Sequence, residues 1–404
     1  MTGLDVRLTA PDELRAAADA ARTALLFPPT GDDDWGKYGH GWRDDHLSVS
    51  AWDGDHAVGH AGSLPVTTKV PGGQWLATAA VTRVGVKPTH TRQGALTRMM
   101  HLLLQTERER GAALASLRAS EAVIYGRYGY GLAGEATRVV IDPKRLLPLR
   151  GAASGTFRQI RGDEVLPTAQ AIYERIDHRV GAITRTKFLW ERTLADAVEP
   201  GKAGYLLVHT SADGVDDGYA HYTVKWQDNG HRENMGELSL GELFGASPAV
   251  ELALWQYLCT VSLVRTISCD TRPDDDVVRL AAEDIRAYDV QRRWDEQWVR
   301  LLDVEACLTA RRWGSDDTVT IAVVDPMFAD NHATFRIGGR GVERTTESAD
   351  ITAPIDALSA AYLGGRSWAD LVAAGRATSD DAAAIAAADR LFAHRPGTFC
   401  GTFF

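Results

Sequence analysis

The residues between Val81 and Thr97 combine a strand, an arginine–glycine loop and the start of a helix, a pattern that can bind phosphate. Arg92 and Gly94 lie in the loop, and we expect the helix to begin directly after Gly94. The first backbone N–H groups of a helix lack intrahelical partners, and the helix dipole adds partial positive charge there. Glycine lets the backbone approach an anion closely, and arginine adds a fork of donors. The stretch therefore predicts a pyrophosphate site; an ordinary strand-to-helix turn with a surface arginine is the alternative.

A second group of residues has the chemistry to recognise a cation. Three aspartates at positions 32–34 precede Trp35, and carboxylates beside an aromatic face suit an ammonium group. A solvated acidic loop is the alternative interpretation. Trp190, which follows Phe188 closely, is interpreted as a core residue rather than as part of a pocket.

The elements that must position the arginine–glycine loop follow an α+β order. The predicted strands of this unit are Leu47–Trp52, His56–Val70, Trp75–Val86 and Ala112–Leu117. Asp53-Gly54 predicts a two-residue hairpin turn between the first two strands. A helix is predicted from Ala95 to Arg110, where apolar residues recur at helical spacing, and Ser120 is expected to cap a further helical turn. This order places a crossover helix against an open sheet.

Two further units follow a small-residue segment that predicts a boundary between residues 150 and 151. The second unit has predicted helices at Ala169–Arg175, Thr186–Leu194 and Ala249–Leu258 and predicted strands at Tyr205–Thr210, Gly218–Trp226 and Glu237–Leu243. The third, from residue 293, has predicted elements Val299–Leu302, Ala306–Arg311, Thr318–Val324, Ala333–Ile337, Ile355–Tyr362 and Asp381–Phe392. The last residues, from Phe399 to Phe404, are apolar, so we expect them to be docked against protein rather than frayed.

The bulk properties exclude several classes of protein. The 404 residues suffice for two or three domains, and a net charge of −10 disfavours nucleic acid as a partner. That acidity favours cations or basic side chains, although solubility alone explains it equally well. There is no apolar run of about 18 residues, which predicts no membrane span. The four scattered cysteines and a non-signal-like first ten residues predict a reduced, cytoplasmic protein without a zinc site or disulfides.

Two segments resemble motifs of the GNAT acetyltransferases. The loop resembles that family's acetyl-CoA loop, Gln/Arg-x-x-Gly-x-Gly/Ala, with Thr91 in place of Gln/Arg and Leu96 in place of the small residue. The segment Ser120–Tyr130 resembles the place where a helix ends in Tyr-x-x-x-Gly-Phe/Tyr, and Tyr125 is the first tyrosine of that pattern. In that family the tyrosine lies beside the acetyl-CoA sulfur.

The chain as a whole resembles one subfamily, the Eis-like (enhanced intracellular survival) N-acetyltransferases. Pro-Thr-x-x-Arg at Pro88–Arg92, Trp-Val-Arg-Leu-Leu-Asp-Val at Trp298–Val304 and the apolar end at Phe404 carry this resemblance. It implies an α+β fold of two tandem GNAT-like domains, each a mixed sheet with helices, followed by a sterol-carrier-protein-like α/β domain. The implied limits are residues 1–150 for the catalytic domain, 151–292 for a GNAT-like domain without cofactor and 293–404 for the third domain. The resemblance also implies a homohexamer.

The same resemblance implies functions for individual residues. The implied acetyl-CoA contacts are Val84, Gly85 and Val86 on a bulged strand, Arg92, Gln93, Gly94, Ala95, Leu96 and Thr97 at the pyrophosphate, and Ser120 and Glu121 nearby. Tyr125 is the implied general acid; a packed aromatic is the alternative. The carboxylate of Phe404 is the implied general base, for which burial would have to raise its pKa; an apolar anchor is the alternative. No metal is implied.

The implied activity is direct transfer of an acetyl group from acetyl-CoA to a primary amine, without a covalent enzyme intermediate. An aminoglycoside, a polyamine-like amine or a lysine side chain is the expected acceptor. A non-catalytic protein that binds a lipid or a partner through the sterol-carrier-like domain is the alternative from another functional class.

Overall fold

Strands and helices alternate along the chain, and the computed structural model describes residues 3–44, 46–226, 236–339 and 341–404. The strands are β1 Asp5–Leu8, β2 Leu47–Asp53, β3 His56–Lys69, β4 Trp75–Val86, β5 Leu114–Leu117, β6 Gly131–Ile141, β7 Gly155–Ile160, β8 Gly204–Ser211, β9 Asp216–Trp226, β10 Gly236–Gly245, β11 Val264–Pro273, β12 Tyr288–Leu301, β13 Thr318–Val324, β14 Ala333–Gly338, β15 Gly341–Thr345 and β16 Ile351–Pro354. The helices are α1 Leu14–Ala24, α2 Asp32–Tyr38, α3 His40–Arg43, α4 Ala95–Glu109, α5 Ala122–Tyr125, α6 Pro143–Leu146, α7 Val165–Arg175, α8 Lys187–Thr193, α9 Ala195–Val198, α10 Pro248–Cys259, α11 Val278–Ala281, α12 Val304–Ala310, α13 Ile355–Tyr362, α14 Trp368–Ala373 and α15 Ala382–Phe392. The α+β class predicted from the sequence is confirmed.

One large sheet connects the first three quarters of the chain. Its strand order, in the part of the chain that is described, is β1-β2-β3-β4-β5-β12-β6-β11-β10-β9-β8-β7. In each half an antiparallel meander leads to a short parallel pairing, β4 with β5 and β10 with β11. We call β1–β5 with β12 the first half, and β6–β11 the second half.

The two halves exchange their last strands. Strand β6, which follows the first meander in the chain, pairs with β11, and β12 returns to pair with β5. The predicted limit between residues 292 and 293 falls inside β12, because that strand runs unbroken from Tyr288 to Leu301. The exchange gives the halves a common backbone ladder, which fixes their relative position.

A separate sheet, β15-β14-β13-β16, forms the third unit. Helices α13, α14 and α15 cover it, and its core is filled by the large side chains Phe335, Tyr362, Trp368 and Phe392, all at most 1% exposed. Asp381 caps α15 by accepting a hydrogen bond from the N–H of Ala383 at 2.8 Å. This unit packs against the large sheet through α13, which contacts β6 and β12.

Most predicted elements are confirmed, with three local corrections. The aspartates at 32–34 start helix α2 rather than a loop, because carboxylates stabilise the positive end of a helix dipole. The hairpin turn between β2 and β3 is Gly54-Asp55, one residue later than predicted, with Gly54 at a φ of +55°. Helix α5 begins at Ala122, so Ser120 does not cap it. Trp190 is 4% exposed, as the core interpretation predicts.

No helix in the described ranges combines the length and apolar character needed to cross a lipid bilayer.

Candidate active site

Strand β4 contains a β-bulge at the segment predicted to contact the cofactor. Arg83 and Val84 lie opposite the single residue Ala61 of β3, and Arg83 has a φ of +57°. A bulge bends its strand and leaves a residue out of the ladder. The predicted contact residues Val84, Gly85 and Val86 are half-buried and begin at this bulge.

The outer edge of β4 beyond the bulge faces a gap rather than another strand. Strand β5 pairs with β4 only from Thr78 to Ala80, although β4 continues to Val86. The two strands therefore diverge, and the second half of β4 has no strand partner on this side among the described residues. Such an edge offers main-chain donors and acceptors to an extended, amide-containing ligand.

The arginine–glycine loop lies between this edge and helix α4. Arg92 and Gly94 both have a positive φ, +63° and +78°, and residues 91–94 are exposed. Helix α4 has no side-chain cap at its N-terminus, and the first residue, Ala95, is buried. Space is open around Gly94, where an added Cβ would meet no atom within 4 Å. The unpaired N–H groups of the first turn are therefore accessible to an anion.

Tyr125 is the last residue of α5, the short helix that follows β5 in the chain. Its side chain is 4% exposed, and its ring contacts that of Tyr130 with 6.0 Å between centroids. Burial raises the pKa of the Tyr125 phenol to about 12. A hydrogen bond from Ser120 lowers this pKa, whereas the neighbouring Tyr128 and Glu121 raise it further. The phenol is therefore protonated at neutral pH, and it interacts with Ser120 in place of the cap predicted there.

The last residue of the chain packs at the point where β4 and β5 separate. Phe404 contacts an apolar cluster that includes Leu64, Val66 and Ala80, and Ala80 is the last β4 residue paired with β5. The chain end is therefore close to the start of the gap, on the side of the second half. The structure thus places the chain end beside β4, the strand that contains the bulge and leads to the loop, although the chain end is far from both in the sequence.

The docking of the chain end is confirmed for most of its residues. Phe399 and Cys400 are 7% and 1% exposed, and Cys400 packs in a cluster with Ala80 of the first half and Ile183 of the second. Phe403 differs, since its ring is 75% exposed and lies 5.3 Å from the guanidinium of Arg118.

The second half has a matching bulge and gap that its own side chains fill. A bulge separates Leu240 from Glu242 on β10, and the pairing with β11 ends there. Arg272 enters the gap, where Nη1 donates to the carbonyl of Leu243 at 3.3 Å and Nη2 donates to Glu251 at 3.0 Å. Glu251 lies in the first turn of α10. Its carboxylate therefore supplies negative charge at that helix N-terminus.

Arg83 is a charged residue of the site that sequence reasoning missed. Its guanidinium stacks on Trp42 at 4.0 Å and on Phe188 at 4.7 Å, and Nη1 donates to the carbonyl of Gly41 at 2.9 Å. Burial, helped by the like charge of Arg192, lowers the pKa of Arg83. No sequence pattern marks this arginine, because its aromatic partners come from other elements.

Arg118 and Glu296 were also missed, and they form an ion pair at 2.8 Å next to the chain end. Arg118 lies just after β5 and Glu296 lies on β12, 178 positions later in the sequence. Only the strand exchange makes them neighbours. Among the described residues, no cluster of His, Cys, Asp and Glu has the arrangement of a metal site.

Comparison with known proteins identifies the domains. Two models described as acetyltransferase (GNAT) domains match residues 5–133 and 181–301, and a model described as a sterol carrier protein domain matches residues 304–401. The predicted architecture of two GNAT domains and a sterol-carrier-like domain is therefore confirmed. The limits at 150/151 and 292/293 remain predictions.

Relatives resemble this chain over most of their length. An uncharacterized N-acetyltransferase of Streptomyces avermitilis is 34% identical over 81% of this chain and 82% of its own. The N-acetyltransferase Eis of Mycobacterium tuberculosis is 31% identical over 84% of each chain. The crystal structure of Eis1 from Mycobacterium abscessus superposes with a TM-score of 0.87 at 33% identity, covering 99% of this chain and 100% of that one. The chain belongs to the Eis-like GNAT N-acetyltransferases.

Proposed function

We propose that this Eis-like enzyme binds acetyl-CoA, the donor that the GNAT fold uses, in the gap beside β4 and transfers the acetyl group to a primary amine. One observation carries the proposal: the free edge of β4 leads directly to the uncapped N-terminus of α4, and the chain end lies where the gap begins. The amides of a pantetheine chain suit the free strand edge, and the charge of a pyrophosphate suits the helix N-terminus.

Each predicted cofactor residue has a physical function in this proposal. Main-chain groups of Val84, Gly85 and Val86 bind the pantetheine amides, as an added strand would. The pyrophosphate accepts hydrogen bonds from the first turn of α4, with the loop residues Arg92, Gln93, Gly94, Ala95, Leu96 and Thr97 around it. Ser120 and Glu121 make a further contact beside Tyr125.

The proposed reaction is direct transfer. A carboxylate on Phe404, in a chain that ends there as the printed sequence does, accepts a proton from the incoming ammonium. The neutral amine nitrogen attacks the thioester carbonyl, forming a C–N bond, and the C–S bond then breaks. Tyr125 donates its proton to the departing sulfur, which leaves as the free thiol. Its buried phenol stays neutral until negative charge develops on that sulfur. The second proton that the nitrogen loses on becoming an amide returns to the Tyr125 oxygen, and the Phe404 carboxyl releases the first proton to solvent.

The proposed acceptor is an aminoglycoside, a polyamine-like amine or a lysine side chain, and the assembly is a homohexamer. The second GNAT domain binds no cofactor in this proposal. Its gap is filled by Arg272, and a phosphate at the N-terminus of α10 would meet the negative charge of Glu251. The packed core of the third unit, with Trp368 fully buried, does not favour the alternative function of lipid binding.

The test is thiol release from acetyl-CoA in the presence of kanamycin A, spermidine or Nα-acetyl-lysine. We expect one amide per thiol with at least one of these amines. A few residues added after Phe404 should abolish turnover while acetyl-CoA still binds, because they convert the carboxylate to an amide and add atoms to a packed site. The same residues added at the N-terminus are the control. If none of the three amines is acetylated, the proposed acceptor class is contradicted. If the protein with the C-terminal extension is fully active, the assignment of Phe404 as the base is contradicted.

A further inference from the structure

The carboxylate of Glu296 lies at the centre of the large sheet and holds the end of the chain. Glu296 is fully buried on β12. Its Oε2 accepts the backbone N–H of Cys400 at 3.0 Å, and its Oε1 accepts that of Gly401 at 2.8 Å. Two successive backbone amides of the terminal segment thus bind one side chain, as amides in an anion-binding turn do.

Arg118 completes the arrangement from the first half. Its Nη2 donates to Glu296 Oε1 at 2.8 Å, and its Nε donates to the carbonyl of Thr402 at 3.2 Å. The guanidinium also stacks on Trp294 at 5.1 Å. From the second half, Arg185 Nε donates to Thr402 Oγ1 at 3.0 Å. The residues from Cys400 to Thr402 are therefore held by charge-assisted hydrogen bonds to three side chains, those of Glu296, Arg118 and Arg185.

The contribution of the buried Arg118–Glu296 pair to folding stability is not enough to explain its presence at this position. Taking a carboxylate and a guanidinium out of water is unfavourable, and well-packed apolar residues often replace such pairs without loss of stability. The pair instead fixes the position of the terminal segment. Gly401 is three residues before Phe404, so a chain end released from Glu296 could move by up to about 10 Å.

We propose that Glu296 is a positioning residue, which fixes the terminal segment so that a carboxylate on Phe404 reaches the amine in the gap beside β4. This inference rests on the proposed base function of Phe404. Glu296 itself contacts neither acetyl-CoA nor the amine. It acts through the backbone of Cys400 and Gly401, and Arg118 joins it to the segment between β5 and Tyr125.

The test is Glu296→Gln in the full-length enzyme. The amide keeps the shape but loses the charge and one acceptor oxygen, so the terminal segment loses part of its attachment. We expect kcat to fall by 10- to 100-fold, since a displacement near 1 Å suffices for such a loss. The acetyl-CoA dissociation constant should stay within twofold, and hydrogen exchange at the amides of Cys400 and Gly401 should accelerate. Glu296→Asp, which keeps the charge on a shorter arm, should recover part of kcat.

Asp325→Asn is the matched control, because Asp325 of the third unit forms a fully buried pair with Arg300 of β12, and neither side chain hydrogen-bonds to the terminal segment. It should lower the melting temperature comparably and leave kcat unchanged. If Glu296→Gln does not fold, Glu296→Asp decides the question through the same kcat and exchange measurements. Wild-type kcat in the variant that folds would overturn the inference.

A double-variant cycle separates this inference from the proposed base. In a protein already inactivated by residues added after Phe404, Glu296→Gln should have no further effect on the residual rate. An equal, additive loss would show that Glu296 acts independently of the chain end and would overturn the inference. Full activity of the extended protein alone would instead remove the base assignment of Phe404.

Discussion

Gly94→Glu tests the pyrophosphate site at the residue where the backbone is most exposed to it. Gly94 has a φ of +78° and open space around its Cα, so a side chain is strained there but does not clash. The left-handed conformation costs about 1–2 kcal/mol for a residue other than glycine. The glutamate also brings a negative charge to the position proposed for the pyrophosphate, beside the N-terminus of α4.

The expected loss of affinity follows from the charge. Two unit charges about 5 Å apart repel by about 3 kcal/mol at an effective dielectric constant of about 20. Salt screens part of this repulsion at an exposed loop. The remainder, about 1.5–3 kcal/mol, raises the acetyl-CoA dissociation constant by roughly 10- to 100-fold. The increase should be larger in low salt than in high salt.

Calorimetric titration of acetyl-CoA measures this change, and two variants separate its causes. Gly94→Ala carries the backbone strain without the charge, so it should lose stability and only a little affinity. Gly214→Glu places the same charge on a glycine with a φ of +77° and equally open surroundings in the second half. That control should bind acetyl-CoA normally. Unchanged affinity in Gly94→Glu, or an equal loss in Gly214→Glu, would refute the assignment of the loop.

Three further predictions concern the acid, the chain end and the response to pH. Tyr125→Phe should lower kcat by roughly 10²- to 10⁴-fold without affecting acetyl-CoA binding, whereas Tyr130→Phe should be neutral; a kcat within a few-fold of wild type would leave Tyr125 a packing residue. Deleting Phe404 should impair turnover, because the new terminus ends about 3.5 Å short, and normal turnover would contradict this. Burial lowers the pKa of His60 and of His178 to about 4, so the unfolded state binds more protons below about pH 6.5. The melting temperature should therefore fall from pH 7 to pH 5, and a constant value would contradict this.

The cofactor loop could be predicted from the sequence because its determinants are local. A strand end, a glycine with positive φ and a helix start follow one another within residues 81–97, and the structure places them as predicted. The bulge at Arg83 and Val84 was predicted only through the family resemblance. Nothing in the sequence of residues 81–86 indicates which residue leaves the hydrogen-bonded ladder.

The strand exchange and the attachment of the chain end could not be predicted in this way. Strand β6 follows the first meander in the chain but pairs with β11, and β12 follows the second meander but pairs with β5. The two strands also pair with each other, so their partners are set by the packing of the whole sheet. The local sequence does not distinguish Glu296 from the other charged residues of its strand. Its proposed positioning function depends on the N–H of Cys400, over a hundred residues later, which donates a hydrogen bond to its carboxylate.

The central claim is that a carboxylate at Phe404 accepts the proton of the amine. Replacing it with a carboxamide by ligating a synthetic C-terminal peptide changes one charge and almost no volume. We predict that the carboxamide enzyme binds acetyl-CoA like the wild type but loses at least 100-fold in kcat/KM for the amine at neutral pH. It should regain activity as the pH approaches the pKa of the amine, because the free base then no longer needs a proton acceptor. A carboxamide enzyme with wild-type kcat/KM across the pH range would contradict the account.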